Sequence, residues 1–229
     1  MLSKNDANGV TGMMGREAWQ GTVRHAELHF RRRGGHRMGM VARAQRWNTA
    51  RVRALMDESR AWPRYELVGG ELLVTPAPRP AHQLAVAAML RVLEDYAAAV
   101  ALPAIVLPSP ADLELVPGTI VQPDVFVLPL PQGERLREWP TVKELLLAVE
   151  IVSPASAQQD RVTKRQFYTR QAAVAEYWVV DLEARVIERW RQGEERPVVE
   201  DSTLEWRPDP GREPLRLDVP GFFRKVLGG

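Results

Sequence analysis

The sequence predicts one mixed α/β domain over residues 50–229, preceded by a basic leader of residues 1–45. Three observations carry that prediction. The run Leu145-Leu146-Leu147-Ala148-Val149-Glu150-Ile151-Val152 is almost wholly apolar, too short and too β-branched for a good helix, and reads as a strand covered on both faces. From Ala81 to Val100, the residues Leu84, Ala88, Met89, Leu93 and Tyr96 or Ala97 recur at helical spacing, which predicts an amphipathic helix. Tyr65–Val74 divides into two β-prone runs around Gly69-Gly70. Glycine accepts the positive φ of a tight primed turn, so a hairpin is expected there.

The remaining elements follow in chain order. Residues 1–54 hold eleven Lys/Arg against three Asp/Glu, whereas residues 55–229 hold twenty against twenty-six. The basic pI, about 9.1, therefore belongs to the leader and not to the body. Arg31-Arg32-Arg33-Gly34-Gly35 cannot nucleate a core, so residues 1–45 are expected to be disordered. Such a tail can hold nucleic acid by counterion release, or it can be a solvated arm. Met38 and Met40 also offer later start positions. His25-Ala26-Glu27-Leu28-His29 has the spacing of a zinc helix, but not its order of residues, and no third ligand accompanies it.

A short helix is expected near residues 50–60, then the hairpin, stopped by the proline-rich Pro76–Pro80. After the long helix, prolines 103, 108, 110 and 117 punctuate short strands at 104–107 and 111–116. A strand begins at Asp124 and ends by Pro129 and Pro131; the Glu150 strand is broken by Ser153-Pro154. Residues 160–173 read as a helix opening on an acid suited to the helix dipole. Strands at 177–181 and 185–190 form a pair, 208–214 is loop, and 219–226 is a short terminal element. There are no cysteines, so disulfides and thiolate metal sites are excluded and any metal must use oxygen or imidazole ligands. No apolar stretch approaches membrane-spanning length and the N-terminus lacks a secretory signal. A soluble cytoplasmic protein without membrane association is expected.

Chemistry concentrates on a few residues. An ionised carboxylate inside an apolar strand is expensive unless a metal, a cationic partner or a wet strand end compensates, and Glu150 is such a carboxylate. Asp124 opens a second strand-like run, and Lys164 follows on a helix. Magnesium accepts one or two carboxylates and completes its octahedron with waters and phosphate. It can activate a bound water, and a neighbouring lysine supplies positive charge to that water or to the phosphate. Each residue also has a plainer explanation. Pro123-Asp124 can start a strand, Glu150 can partner a buried Arg, and Lys164 can pair with Asp160 on a solvated helix face that includes Tyr168 and Gln171.

Taken in order over residues 50–225, several segments resemble one bacterial group. They are Tyr65-Glu66-Leu67, Gly70-Glu71-Leu72, Thr75-Pro76-Ala77-Pro78, His82-Gln83, Pro123-Asp124-Val125, Val149-Glu150-Ile151-Val152-Ser153-Pro154, Asp160 with Lys164 and Tyr168, and Glu176-Tyr177-Trp178-Val179-Val180-Asp181. The group is the Uma-two family of restriction-endonuclease-like proteins, in the PD-(D/E)XK nuclease superfamily. The resemblance implies a restriction-endonuclease-like α/β core with a mixed central sheet, and a Mg²⁺- or Mn²⁺-dependent endonuclease acting on DNA. It makes Asp124 and Glu150 the metal-binding catalytic acids, with the backbone carbonyl of Ile151 as a third ligand. The superfamily's lysine lies two residues after the second acid, where this chain has Val152; the resemblance implies its relocation to Lys164. Glu66 or Glu71 can add an acid near the metal or be a solvated strand residue. His82 can touch the site or cap its helix, and Tyr168 and Gln171 are supporting candidates. Two rivals accompany this reading. One is a nucleic-acid- or protein-binding module that kept the fold without robust activity, since the acidic body offers no obvious DNA groove. The other is a structural homo-oligomer, such as a homodimer, built on exposed Trp139, Trp190 or Trp206.

Overall fold

Short β-branched runs become strands here because a single sheet lets each bury both of its faces. The structure, a computed structural model, describes residues 46–228 apart from 59–61, 132–133, 140–141 and 153–158. The leader with its His25/His29 pair, and the Ser153-Pro154 strand breaker, lie outside the described residues. Helix α1 (Thr49–Glu58) precedes a hairpin of β1 (Arg64–Val68) and β2 (Glu71–Thr75), followed by α2 (Pro80–Ala99). Strands β3 (Ala104–Pro108), β4 (Val125–Pro129) and β5 (Glu144–Val152) come next. A π-helical turn, Gln159–Lys164, runs into α3 (Arg165–Arg170), then β6 (Ala173–Asp181), β7 (Val186–Arg191) and β8 (Val198–Glu200). The short strands β9 (Thr203–Trp206) and β10 (Leu215–Asp218) and the helix α4 (Val219–Leu227) complete the fold.

The main sheet has six strands in the order β3-β4-β5-β6-β7-β8. Only β5 and β6 are parallel; all other neighbours are antiparallel. A parallel pair needs a crossover, and the π-helical turn with α3 provides it. β5 lies third of six, which explains its continuous apolar sequence. One face of the sheet is covered by α2, α4 and the β9–β10 pair, with Met89, Leu93, Trp206 and Phe223 against Val127, Val149 and Trp178. The other is covered by α3 and the 111–121 loop, with Phe167, Tyr168 and Leu113 against Phe126, Ala148 and Val179. Side chains alternate along a strand, so Glu150 shares the α3 side with Ala148 and Val152, and Asp124 shares it with Phe126. Val125 pairs with Val149 in the antiparallel register, which sets Asp124 opposite Glu150.

The hairpin forms as expected, with φ of 60° at Gly69 and 81° at Gly70. Several expectations are corrected. Leu84 is exposed, and Ala85 takes its place on the buried stripe of α2. At 3.6 residues per turn, Leu84 stands half a turn around from Leu93, so both cannot face the core. Residues 111–116 make no strand, only a bridge from Leu113 to Val121. The flanking acids hold a loop instead: Asp112 accepts from Gln122 at 2.7 Å and Glu114 from the Gly118 N–H at 3.1 Å. The helix expected to reach residue 173 ends at Arg170, because Ala173 onward is a β-prone run that pairs with β5. Strands β8, β9 and β10, each of three or four residues, were not expected. The aromatics offered for an oligomer interface belong to the core. Trp206 packs on Tyr96 and Trp178 at 5.7 and 5.8 Å, and Trp190 is buried beneath the Arg165 guanidinium. Trp139 is half-buried, edge-on to Phe126. Among the described residues, no helix is long and apolar enough to cross a membrane.

The two faces of α2 separate by mutation. Leu93→Ala should lower the unfolding free energy in urea by about 2–5 kcal/mol, the scale of a buried leucine truncation. Leu84→Ala should change it by less than about 0.5 kcal/mol.

Candidate active site

Glu150 is carried into the protein by the strand that needs it least, and the fold surrounds it with groups that respond to its charge. The register of β4 and β5 places Asp124 beside it at the same edge of the α3 face. Asp124 is 7% exposed and Glu150 3%. Asp124 Oδ2 accepts hydrogen bonds from the Ile151 N–H and from His82 Nε2, each at 3.0 Å, while Arg64 Nη1 lies 3.4 Å from Oδ1. An ionised carboxylate can only accept, so Nε2 is the protonated ring nitrogen. The Nδ1 atom of His82 is buried with no partner.

Lys164 arrives from the crossover. Its turn is fixed to the end of the sheet by Arg161, which bridges Asp181 at 2.5 Å and Glu188 at 2.7 Å. The Tyr177 hydroxyl also donates to the Asp160 carbonyl at 3.1 Å. Held in this way, the Lys164 ammonium is 4% exposed and meets Glu66 at 2.7 Å, Glu150 at 3.0 Å and Asp160 at 3.3 Å. Glu66 reaches it because β1 is tied to the segment leading into β4. Leu67 and Ile120 exchange backbone bonds of 2.7 and 2.9 Å, and Glu66 Oε1 accepts the Gln122 N–H at 2.8 Å. The Tyr168 hydroxyl donates to Glu150 Oε1 at 3.4 Å, the same oxygen that Lys164 contacts.

Burial and charge push these groups apart. Burial, and then the nearby charges of Asp160, Asp124 and Glu66, hold Glu150 well above the ordinary carboxylate value despite the attraction of Lys164. Burial also raises Glu66, against the pull of Lys164. For Asp124 burial acts upward as well, but the bonds from His82 and Ile151 prevail and the carboxyl falls below its usual value. Burial would lower Lys164, yet Glu150, Glu66 and Asp160 outweigh it and hold the ammonium well above an ordinary lysine. Tyr168 is raised by burial and by the Glu150 charge, so it stays a neutral donor.

These groups line a cavity of about 520 Å³. Five acids, Glu66, Asp124, Glu150, Asp160 and Glu183, line it with the bases Lys164, Arg64 and Arg79. Among the described residues, no three acidic or imidazole side chains converge as a ready-made metal cluster.

Of the residues singled out in the sequence, Asp124, Glu150, Ile151, Lys164, Glu66 and His82 line this cavity, and Tyr168 bonds to Glu150 from behind it. Two are excluded. Glu71 is exposed at the hairpin turn, opposite Val68. Gln171 is exposed at the end of α3, because the helix stops before the face through Lys164 and Tyr168 can extend to it. Sequence reasoning missed Arg64 and Trp62, and offered Asp160 only as a partner of Lys164 on a solvated face or as part of the family motif. Arg64 and Glu66 are two apart on a strand and share a face, which was the available signal. Asp160 is buried, so its i,i+4 pair with Lys164 is real but internal.

The chain is similar to known proteins over most of its described length. A family model described as "Uma2: Putative restriction endonuclease" matches residues 53–220. A crystal structure of a putative nuclease belonging to DUF820 from Anabaena variabilis aligns with a TM-score of 0.57 at 19% identity, covering 77% of this chain and 98% of that one. The similarity establishes a restriction-endonuclease-like fold. No curated protein matches the sequence.

A carboxyl with a folded-state pKa above its unfolded value gives stability that is present in acid and lost as pH rises through the folded value. Glu150 is such a group, and Glu150→Gln removes the loss. Without added metal, the Tm of Glu150→Gln relative to wild type should climb as pH rises above the ordinary carboxylate value. A difference that does not change with pH would rule out a raised Glu150.

Proposed function

We propose, for a chain that belongs to the Uma2 family of putative restriction endonucleases, that it hydrolyses phosphodiester bonds in DNA with a divalent metal, Mg²⁺ or Mn²⁺. One observation supports this most directly: Asp124 and Glu150 stand opposite each other on adjacent strands, with the Lys164 ammonium 3.0 Å from Glu150. Asp124 and Glu150 would hold the ion, with the backbone carbonyl of Ile151 as a further oxygen ligand. Bound there, the ion would lower the pKa of a water and take up charge on the phosphate.

The remaining tasks fall to the chain's own groups. His82 and the Ile151 N–H aim the Asp124 carboxylate and keep it ionised. Lys164 has three carboxylates around it and remains a cation, so its role is to donate hydrogen bonds to the attacking water or a phosphate oxygen. It does not accept the proton of the water. Tyr168 holds Glu150 Oε1 and fixes the direction of that side chain. Glu66 and Asp160 position the ammonium without touching the substrate.

Nicking of supercoiled plasmid tests the proposal with purified protein in Mg²⁺, Mn²⁺ or EDTA. Wild type should nick only with metal, and Glu150→Ala and Lys164→Ala should each lose at least about a hundredfold in rate, the scale of removing one charged group from such a site. Cleavage that persists in EDTA, or in folded Glu150→Ala, would sink the reading. DNA binding in EDTA without any cleavage would indicate a binding module instead.

A further inference from the structure

The acids lie deep in the protein. Glu66, Asp124, Glu150 and Lys164 are between 2% and 7% exposed, at the floor of the 520 Å³ cavity. That volume is on the scale of one small ligand. A duplex carries its phosphates on the outside of a stiff rod and would meet such a pocket at its mouth. An unpaired nucleotide can turn inward, as it does in enzymes that act on a single extruded base.

The mouth carries what such a nucleotide needs. Trp62 lies in the segment leading into β1 and is only half-buried, and the Arg64 guanidinium sits 4.5 Å from its ring centroid. The same guanidinium reaches Asp124 at 3.4 Å. One arginine thus connects an aromatic surface at the rim with an acid at the floor. Exposed Arg79 and exposed Glu183 also line the cavity, so its accessible part carries charge of both signs. On the far side, Leu182 of the β6–β7 turn and Leu227 of α4 close the wall. Aromatic rings and arginine planes are the surfaces on which unpaired bases stack.

We propose that the cavity admits one unpaired nucleotide, so that the substrate is single-stranded or locally unpaired DNA, with Trp62 and Arg64 as its stacking platform. The inference rests on the nuclease reading above. The stacked base anchors the strand at the rim, and the adjoining phosphate descends past Arg64 toward Asp124 and Glu150. Trp62 is a substrate-binding residue with no part in the chemistry.

Fluorescence anisotropy tests the inference apart from cleavage. Glu150→Gln protein with Mg²⁺ is titrated with a short labelled oligonucleotide, either single-stranded or annealed into a blunt duplex. The single strand should bind at least about tenfold more tightly than the duplex. Adding Trp62→Ala should weaken single-strand binding by about tenfold, the scale of one lost base–aromatic stack, and Trp62→Phe should restore most of it. Equal binding of the two forms by the parent protein, or undiminished single-strand binding by Trp62→Ala, overturns the inference. Wild-type digestion of the same oligonucleotides separates the two readings. Single-strand-selective binding without metal-dependent cleavage defeats the nuclease reading and leaves the substrate class standing. Cleavage of the blunt duplex as fast as the single strand does the reverse.

Discussion

The buried Lys164 ammonium is the constraint from which the rest of the site follows. A cation removed from water requires opposite charges at contact distance, and removing one partner of such a cluster leaves charge stranded. The three acids that meet it come from three elements: Glu66 from β1, Glu150 from β5 and Asp160 from the π-helical turn. A single side chain thereby fastens the N-terminal hairpin, the central sheet and the crossover together. The hairpin has no ladder to the main sheet; it joins the rest through the Leu67–Ile120 bridge, through Glu66, through the Arg64–Asp124 contact and through Val68 and Leu73 in the core. Without Lys164, two of these elements would keep their acids pointed at one another with nothing between them.

The same cluster divides the labour between two carboxylates that look alike in sequence. Asp124 accepts bonds from a backbone N–H and from His82, and its charge is stabilised. Glu150 is surrounded by other acids and holds its proton more firmly. Two carboxyls one strand apart are therefore set to different protonation behaviour by their surroundings, a pattern typical of functional sites. A cation held as proposed would favour the ionised form of both, most of all at Glu150, so its binding would be coupled to proton release there.

Much of this was legible in the sequence, and the omissions have physical causes. The Gly69-Gly70 hairpin, α2 and the β5–β6–β7 succession follow from local periodicity and turn chemistry, which the fold did not override. Asp124 and Glu150 stood out as candidates because charge in or beside an apolar strand is conspicuous, whereas Lys164 was singled out chiefly by the family resemblance. Asp160 did not stand out, since an acid four residues before a lysine looks the same whether water or protein surrounds it. Glu66 and Glu71 are equivalent on paper. Only the bridge between Leu67 and Ile120 turns the first inward, while the second remains at an open turn. Strands β8 to β10 exist through pairing with partners, with too few residues to show a period. Trp190 and Trp206 illustrate the same limit: composition shows that they are large, but only topology places them under α3 and α2.

The position of the lysine follows from the parallel pairing of β5 and β6. Val152, two residues beyond Glu150, shares its face, so a lysine there would approach the acid from along the strand. In this chain that place is apolar and buried. A parallel neighbour obliges the chain to leave the end of β5, cross over the sheet and return, and the π-helical turn of that return brings Lys164 to Glu150. The wider π-helical turn, clamped by Arg161 to Asp181 and Glu188, aims Lys164 inward at the carboxylate it has just crossed. An ammonium at the second acid thus depends on the topology of the crossover, which makes a lysine on the helix as well placed as one on the strand.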